Sequence, residues 1–184
     1  MATDSEKKAF IQKVWNAIKN QNLNGLFPSV LIAQCALESG WGKSTLARDY
    51  NNFFGIKADS SWKGRKVSMS TKEVSAGETY TTQSYFRIYD SLGESIKDRN
   101  KFLKENQRYT KAGVFEAETP RQQVEALKNA GYATATKYVD TIMNIIDTNN
   151  LTEFDEKKKS RFINFIGIGV FIVIAIISYI ILKR

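Results

Sequence analysis

The sequence predicts a mainly α domain (α+β) with a small β-hairpin lobe, followed by one C-terminal transmembrane helix. Apolar residues recur at helical spacing up to about residue 148, an alternating stretch interrupts them between 66 and 89, and residues 162–182 carry no charge. Phe10, Ile11, Val14, Trp15 and Ile18 share one helical face, with Asp4 or Ser5 as the expected cap. A second helix is expected from near Pro28, tolerated in a first turn, through an apolar run to Glu38, where Gly40 and Gly42 break it. Residues 50–65 are rich in turn formers and read as a loop. Strand-like runs follow at 66–74 and 79–89, with Gly77 between them, and Tyr80, Thr82, Ser84, Phe86 and Ile88 alternate with polar residues. Ser91-Leu-Gly-Glu94 is a capping box ahead of Ile96, Phe102 and Leu103; Thr119-Pro-Arg-Gln122 is another, with Gly131 suited to the stop. Val139, Ile142, Met143 and Ile146 stripe a last amphipathic helix. The expected boundaries are a folded domain over 1–148, a polar and basic linker over 149–161 and an apolar span over 162–182.

That span opens at Phe162, closes at Leu182 and is 21 residues long. At about 1.5 Å per residue it matches the roughly 30 Å hydrocarbon core of a lipid bilayer, the partner it implies. Six of the 27 basic residues flank it (Lys157, Lys158, Lys159, Arg161, Lys183 and Arg184), and none of the 19 acidic residues lies beyond Glu156. Residues 1–156 therefore hold 21 basic against 19 acidic residues, a net +2 of the chain's +8. The surplus belongs beside lipid head groups, and no nucleic-acid partner is expected. The chain has no histidine, which excludes His-ligated zinc, Ser-His-Asp triads and Cys-His nucleophiles. The lone Cys35 excludes an internal disulfide. With no metal or cofactor expected, hydrolytic chemistry must rest on carboxylates, helped by tyrosine.

Glu38 is the only carboxylate between Glu6 and Asp49, and it follows seven mostly apolar residues. Desolvation at the end of a buried helix raises a carboxyl pKa and keeps its proton near neutral pH, as a general acid requires. Trp41, three residues on, offers an apolar face for a sugar ring. A surface glutamate at a helix C-terminus would show the same pattern, so spacing alone leaves both roles open.

Four motifs occur in order: Ala36-Leu-Glu-Ser-Gly-Trp-Gly-Lys-Ser44, Asn51-Asn-Phe-Phe-Gly-Ile-Lys57, Phe86-Arg-Ile-Tyr-Asp-Ser91 and Gly131-Tyr-Ala-Thr134. Together they resemble the flagellar-assembly and autolysin-type N-acetylglucosaminidases, glycoside hydrolase family 73, over roughly residues 10–148. The resemblance implies a lysozyme-like helical domain with a hairpin lobe that cleaves the glycan strand of peptidoglycan. Matched to the family's motifs, Glu38 is the general acid, Glu73 the second carboxylate on the hairpin with Glu78 its competitor, and Tyr132 a tyrosine of the catalytic cleft. Asn52, Trp41, Trp62 and Tyr85 are the expected substrate-binding residues, while Phe54 is assigned to the core. Where the family usually has Asp after Gly-Tyr-Ala-Thr, this chain has Ala135, which puts that residue's contribution to the cleft in doubt.

Two mechanisms stay open. Glu38 protonates the departing oxygen in both; either the second carboxylate activates water, with the carboxyls about 6.5–9.5 Å apart as inversion requires, or the substrate's own acetamido group assists. The rival classes are a lytic transglycosylase or muramidase, and a glycan-binding structural membrane protein without activity. The absence of an N-terminal apolar core and the four basic residues before the span against two after it are expected to leave the domain on the cytoplasmic side. The expectation is therefore a single-pass lysin in the membrane of a lipid-containing phage virion, alongside virion structural proteins, with the bacterial inner membrane as the alternative.

Overall fold

Thr3, one residue ahead of the expected caps, holds the start of α1 (Asp4–Ile18). Its Oγ1 accepts from the Glu6 N–H at 3.3 Å, and Glu6 Oε2 accepts from the Thr3 N–H at 2.7 Å. This reciprocal box satisfies two amides that a helix start otherwise leaves open, an advantage neither Asp4 nor Ser5 offers here. The computed structural model describes residues 2–75 and 78–157, with side chains for 2–71 and 81–157. The face of Phe10, Ile11, Val14, Trp15 and Ile18 is buried as expected.

Helix α2 (Pro28–Ser39) begins with Pro28 in its first turn and is buried except at Leu37 and Glu38. It packs against α1, α6 (Pro120–Asn129) and α7 (Tyr138–Thr148), and so forms the axis of the core. Two short helices were not legible as periodic patterns: α3 (Thr45–Tyr50) and α5 (Gln107–Lys111). At six and five residues they complete less than two turns, too few for a 3.6-residue period to show. The hydroxyl half of both expected boxes holds, for Ser91 Oγ accepts from the Glu94 N–H at the start of α4 (Leu92–Glu105), and Thr119 Oγ1 from the Gln122 N–H at the start of α6. The Glu94 and Gln122 side chains accept instead from the N–H one residue earlier, of Asp90 and Glu118.

Strands β1 (Lys66–Ser75) and β2 (Glu78–Arg87) form a two-stranded antiparallel ribbon, with Glu73 opposite Tyr80 and Ser75 opposite Glu78. Directly opposed residues share a face. Glu73 and Glu78 therefore fall on the same ladder face as Val67 and Phe86, and face alone does not separate the two. Their side chains, like the expected turn at Gly77, lie outside the described residues.

The expected domain end at 148 falls too early. Beyond the Asn149-Asn150 turn the chain folds back, Leu151 and Phe154 are buried, and Phe154 packs on Trp15 with ring centroids 5.1 Å apart. The part of the expected linker up to Glu156 is thus structural, and Asp155 Oδ1 accepts from the Ser29 N–H at 2.8 Å near the start of α2. The expected span at 162–182 lies outside the described residues. Among the described residues no helix is long and apolar enough to cross a membrane.

Candidate active site

Glu38 sits in the last turn of α2, and the chain reverses immediately after it. Gly40, Trp41 and Gly42 all take left-handed backbone angles, with φ of 57°, 61° and 78°. Such angles are costly for a residue with a Cβ, so Trp41 needs compensation. Its amide donates to the Ala36 carbonyl at 2.7 Å and its ring packs edge-on against Phe10 at 5.9 Å. Ser39 ties the turn from inside: its Oγ donates to the Cys35 carbonyl at 2.5 Å and accepts from the Gly42 N–H at 2.8 Å. At Gly42 a Cβ would lie 3.0 Å from the Phe10 ring, so a side chain there would meet both strain and crowding. The result is a rigid platform that holds Glu38 at the mouth of the core.

The opposite wall is the loop 51–59 laid against β2. Asn52 is buried, and its amide donates to the carbonyls of Ile56 and Arg87 at 3.0 and 2.9 Å while accepting from the Ile56 N–H at 3.0 Å. Arg87 completes the wall. Its guanidinium lies 2.9 Å from Asp98, bonds the Lys57 carbonyl and stacks 4.5 Å from the Trp62 ring. The third side comes from α4, α5 and the turn after α6, where Gly131 (φ 77°) sets Tyr132 back against the helices.

Between these walls lies a cleft of about 370 Å³ lined by Glu38, Phe54, Asp59, Arg99, Arg108 and Tyr132 among others. Glu38 keeps accessible surface, while the protein packed around it withdraws the carboxyl from bulk water. That desolvation raises it above the ordinary carboxylate range, and the Arg99 guanidinium only partly opposes the effect. Burial also pushes the Tyr132 phenol up to about 12, so it stays protonated and able to donate at neutral pH. The cleft thus brings together a carboxyl that holds its proton more tightly than an ordinary glutamate and a protonated phenol. Among the described residues no group of three or more Cys, Asp or Glu side chains is placed to hold a metal ion.

The family model described as glucosaminidase, mannosyl-glycoprotein endo-beta-N-acetylglucosaminidase, matches residues 14–151. The chain belongs to that family, glycoside hydrolase family 73. The exo-glucosaminidase LytG of Bacillus subtilis is 38% identical over 138 residues, 73% of this chain and 48% of that protein. The peptidoglycan hydrolase FlgJ of Vibrio cholerae is 38% identical over 141 residues, 73% of this chain and 42% of that protein. The chain thus spans less than half the length of these relatives. The catalytic domain of the autolysin Auto from Listeria monocytogenes superposes with a TM-score of 0.73 at 32% identity, over 84% of this chain and 90% of that one. The family's helical body with its two-stranded lobe is the architecture described above.

Of the residues expected from the glucosaminidase motifs, the structure brings Glu38 and Tyr132 into one cleft. Asn52 is buried in the wall instead of exposed in the cleft, its amide committed to Ile56 and Arg87. Trp41 faces α1, with Lys7 5.9 Å from its ring, and does not line the cleft. Trp62 stands behind Arg87, its indole N–H given to the Arg65 carbonyl at 3.0 Å. Tyr85 is 52% exposed, on the ribbon face opposite Phe86. Phe54 is buried as assigned and also lines the cleft. Ala135 lies in the exposed loop before α7, its carbonyl accepting from the Tyr138 N–H at 3.1 Å.

The motif reading missed Arg87, Arg99, Arg108 and Tyr109, all of which line the cleft. One signal was available. Arg99 lies three residues after Ile96 and four before Leu103, in the middle of a buried helical stripe, where a cation is out of place unless it serves a site.

Proposed function

We propose that this chain is a peptidoglycan hydrolase that cleaves the β-1,4 bond between N-acetylglucosamine and N-acetylmuramic acid, with Glu38 as general acid. The observation that carries this reading is the Glu38 carboxyl, held at the cleft between α2 and Tyr132 and biased by burial toward its protonated form. The Glu38 O–H bond breaks as its proton passes to the glycosidic oxygen and the bond from that oxygen to the sugar C1 opens. Water then adds its oxygen to C1 and gives up one proton, and exchange with solvent returns a proton to Glu38. Glu73 on β1, with Glu78 as its competitor, takes that proton from the attacking water. In the alternative the substrate's acetamido oxygen bonds C1 as the glycosidic bond breaks, with Glu73 supporting it, and water then opens the ring so formed. The phenol of Tyr132 donates a hydrogen bond into the cleft, where developing charge is stabilised.

Residues 162–182 are proposed to anchor this domain in a bilayer, on the strength of their uninterrupted apolar character and basic flanks. The excess of basic residues before the run favours the cytoplasmic side for the domain. The virion membrane of a lipid-containing phage would reconcile that topology with a cell-wall substrate, since the particle meets the wall from outside.

Digestion of purified peptidoglycan, followed by mass spectrometry of the new ends, tests the reaction. Reducing N-acetylglucosamine is expected. Reducing N-acetylmuramic acid would make the enzyme a muramidase, a 1,6-anhydro sugar would make it a lytic transglycosylase, and binding without cleavage would leave a glycan-binding protein.

A further inference from the structure

We infer that Arg99 is a positioning residue for Glu38: a buried cation with no carboxylate ion-pair partner among the described residues, which holds the charge of the Glu38 carboxylate once its proton has left. The inference rests on Glu38 being the acid.

Arg99 is 1% exposed and lines the cleft beside Glu38. Its guanidinium lies 5.6 Å from the ring of Phe54 and 5.7 Å from that of Tyr132. One terminal nitrogen donates to Asn100 Oδ1 at 3.0 Å and the other to Gln34 Oε1. Both acceptors are neutral amides, the Tyr132 phenol that the guanidinium also hydrogen-bonds is neutral too, and among the described residues the Nε–H is buried without a partner. Burying a cation with no counter-charge costs several kcal/mol, so a purely structural arginine at this position would be a poor solution.

Gln34 explains how the cation is aimed. Arginine can only donate, which fixes the Gln34 amide with its oxygen toward Arg99 and its nitrogen toward Tyr138 Oη at 2.6 Å. Gln34 lies one helical turn before Glu38 on α2. The same helix therefore carries both the proton donor and the clamp that orients its cation.

Other charged and titratable groups face Glu38 from each wall. Arg87 from β2 is engaged by Asp98 and by Asp59 of the loop, which also brings Lys57. Helix α5 presents Arg108, whose Nη2 donates to Tyr109 Oη at 2.7 Å. Tyr132 and Tyr138 face it as phenols that burial keeps protonated. Arg99 differs from the arginines at the rim in being buried, and its charge is the one that opposes the desolvation of Glu38. While Glu38 is protonated the cation is uncompensated; when the proton moves to the departing oxygen, the pair becomes neutral overall. That difference lowers the energy of the state after proton transfer more than the state before it, which is the requirement for faster chemistry.

The test uses the full chain in detergent. Arg99→Gln and Arg99→Met remove the charge, and Arg99→Lys keeps it while losing the planar fork. The Glu38 carboxyl is titrated by ¹³C NMR, assigned through its loss in Glu38→Gln, and the pH profile of kcat/KM on peptidoglycan is measured alongside. In the neutral variants the Glu38 titration and the alkaline limb of the profile should both move to higher pH. Their kcat should fall about tenfold or more with KM nearly unchanged, while Arg99→Lys stays near wild type in both titrations. A folded neutral variant that titrates at the wild-type pH, or a lysine variant displaced as far as the glutamine one, overturns the inference. If neither neutral variant folds, even combined with Glu38→Gln, Arg99 is packing alone and the inference is equally overturned. The titration needs no turnover, so an active Glu38→Gln protein would refute the acid assignment separately.

Discussion

Glu38 and its neighbours show how the surroundings of a single carboxyl shift its hold on a proton. Two opposing effects act on it, loss of water and the Arg99 charge, and the first is larger. Activity that depends on the protonated form should therefore be lost as pH rises through the elevated Glu38 pKa, and should persist at pH values where an ordinary glutamate is already ionised. Glu38→Gln keeps the shape and removes the transferable proton. Peptidoglycan turnover should drop by about 10²–10⁴-fold, with the melting midpoint close to wild type because the side chain is accessible and makes no buried bond that the amide would break. Near-full activity of that variant in a zymogram and a reducing-sugar assay would remove Glu38 from the mechanism.

At the scale of elements, the ribbon and the C-terminal turn each carry a prediction. The β1–β2 register places Glu73 and Glu78 on one face, so they differ only in distance along the ribbon, with Glu78 beside the turn. Glu73→Gln should impair turnover much more than Glu78→Gln; the reverse order would identify Glu78 as the second carboxylate. Asp155 ties the last helical turn to the start of α2, and burial raises its carboxyl from 3.8 to about 6 despite the Ser29 bond. A carboxyl raised in the folded state binds protons more readily folded than unfolded. Its contribution to stability therefore improves as pH falls from about 6 toward 3.8 and is least favourable above that window. Asp155→Asn keeps an acceptor for the Ser29 N–H and removes the buried charge. It should stabilise the protein near pH 7 by up to about 3 kcal/mol and flatten the acid side of a plot of melting midpoint against pH. A lower midpoint at neutral pH would mean that the bond to the charged oxygen outweighs its burial.

For the whole molecule, the described fold closes on itself at Phe154, whose ring covers Trp15 of the first helix. Removing residues 158–184 leaves every described core residue in place. The truncated protein should be soluble without detergent and should cleave peptidoglycan as fast as the full chain, whereas the full chain should sediment with membranes and resist extraction by high salt. Salt distinguishes the cases because it screens head-group attraction and leaves apolar insertion intact. Release of the full chain by salt alone would make residues 162–182 a protein contact and would remove the ground for a membrane-containing virion.

The sequence by itself determined whatever depends on local pattern. The stripe from Phe10 to Ile18, Pro28 at the head of a buried helix, the caps at Ser91 and Thr119, and the alternation that becomes β2 are periodic or short-range signals, and each can be read in one dimension. Glu38 was legible for the same reason, as a lone acid closing an apolar helix. The third dimension decided the rest. Helices α3 and α5 are too short to show a period, and Leu151 and Phe154 lie past an Asn-Asn turn that resembles a linker until Trp15 is seen to need a cover. Asn52 and Trp41 are polar and aromatic residues beside a catalytic motif, and only their partners, the Ile56 and Arg87 carbonyls and the Phe10 ring, show that they build the walls and the platform. The cleft arginines come from α4, α5 and β2, distant in the chain and gathered by packing. A motif records what neighbours in sequence require, whereas the charge around Glu38 is set by groups that become neighbours only when the core closes.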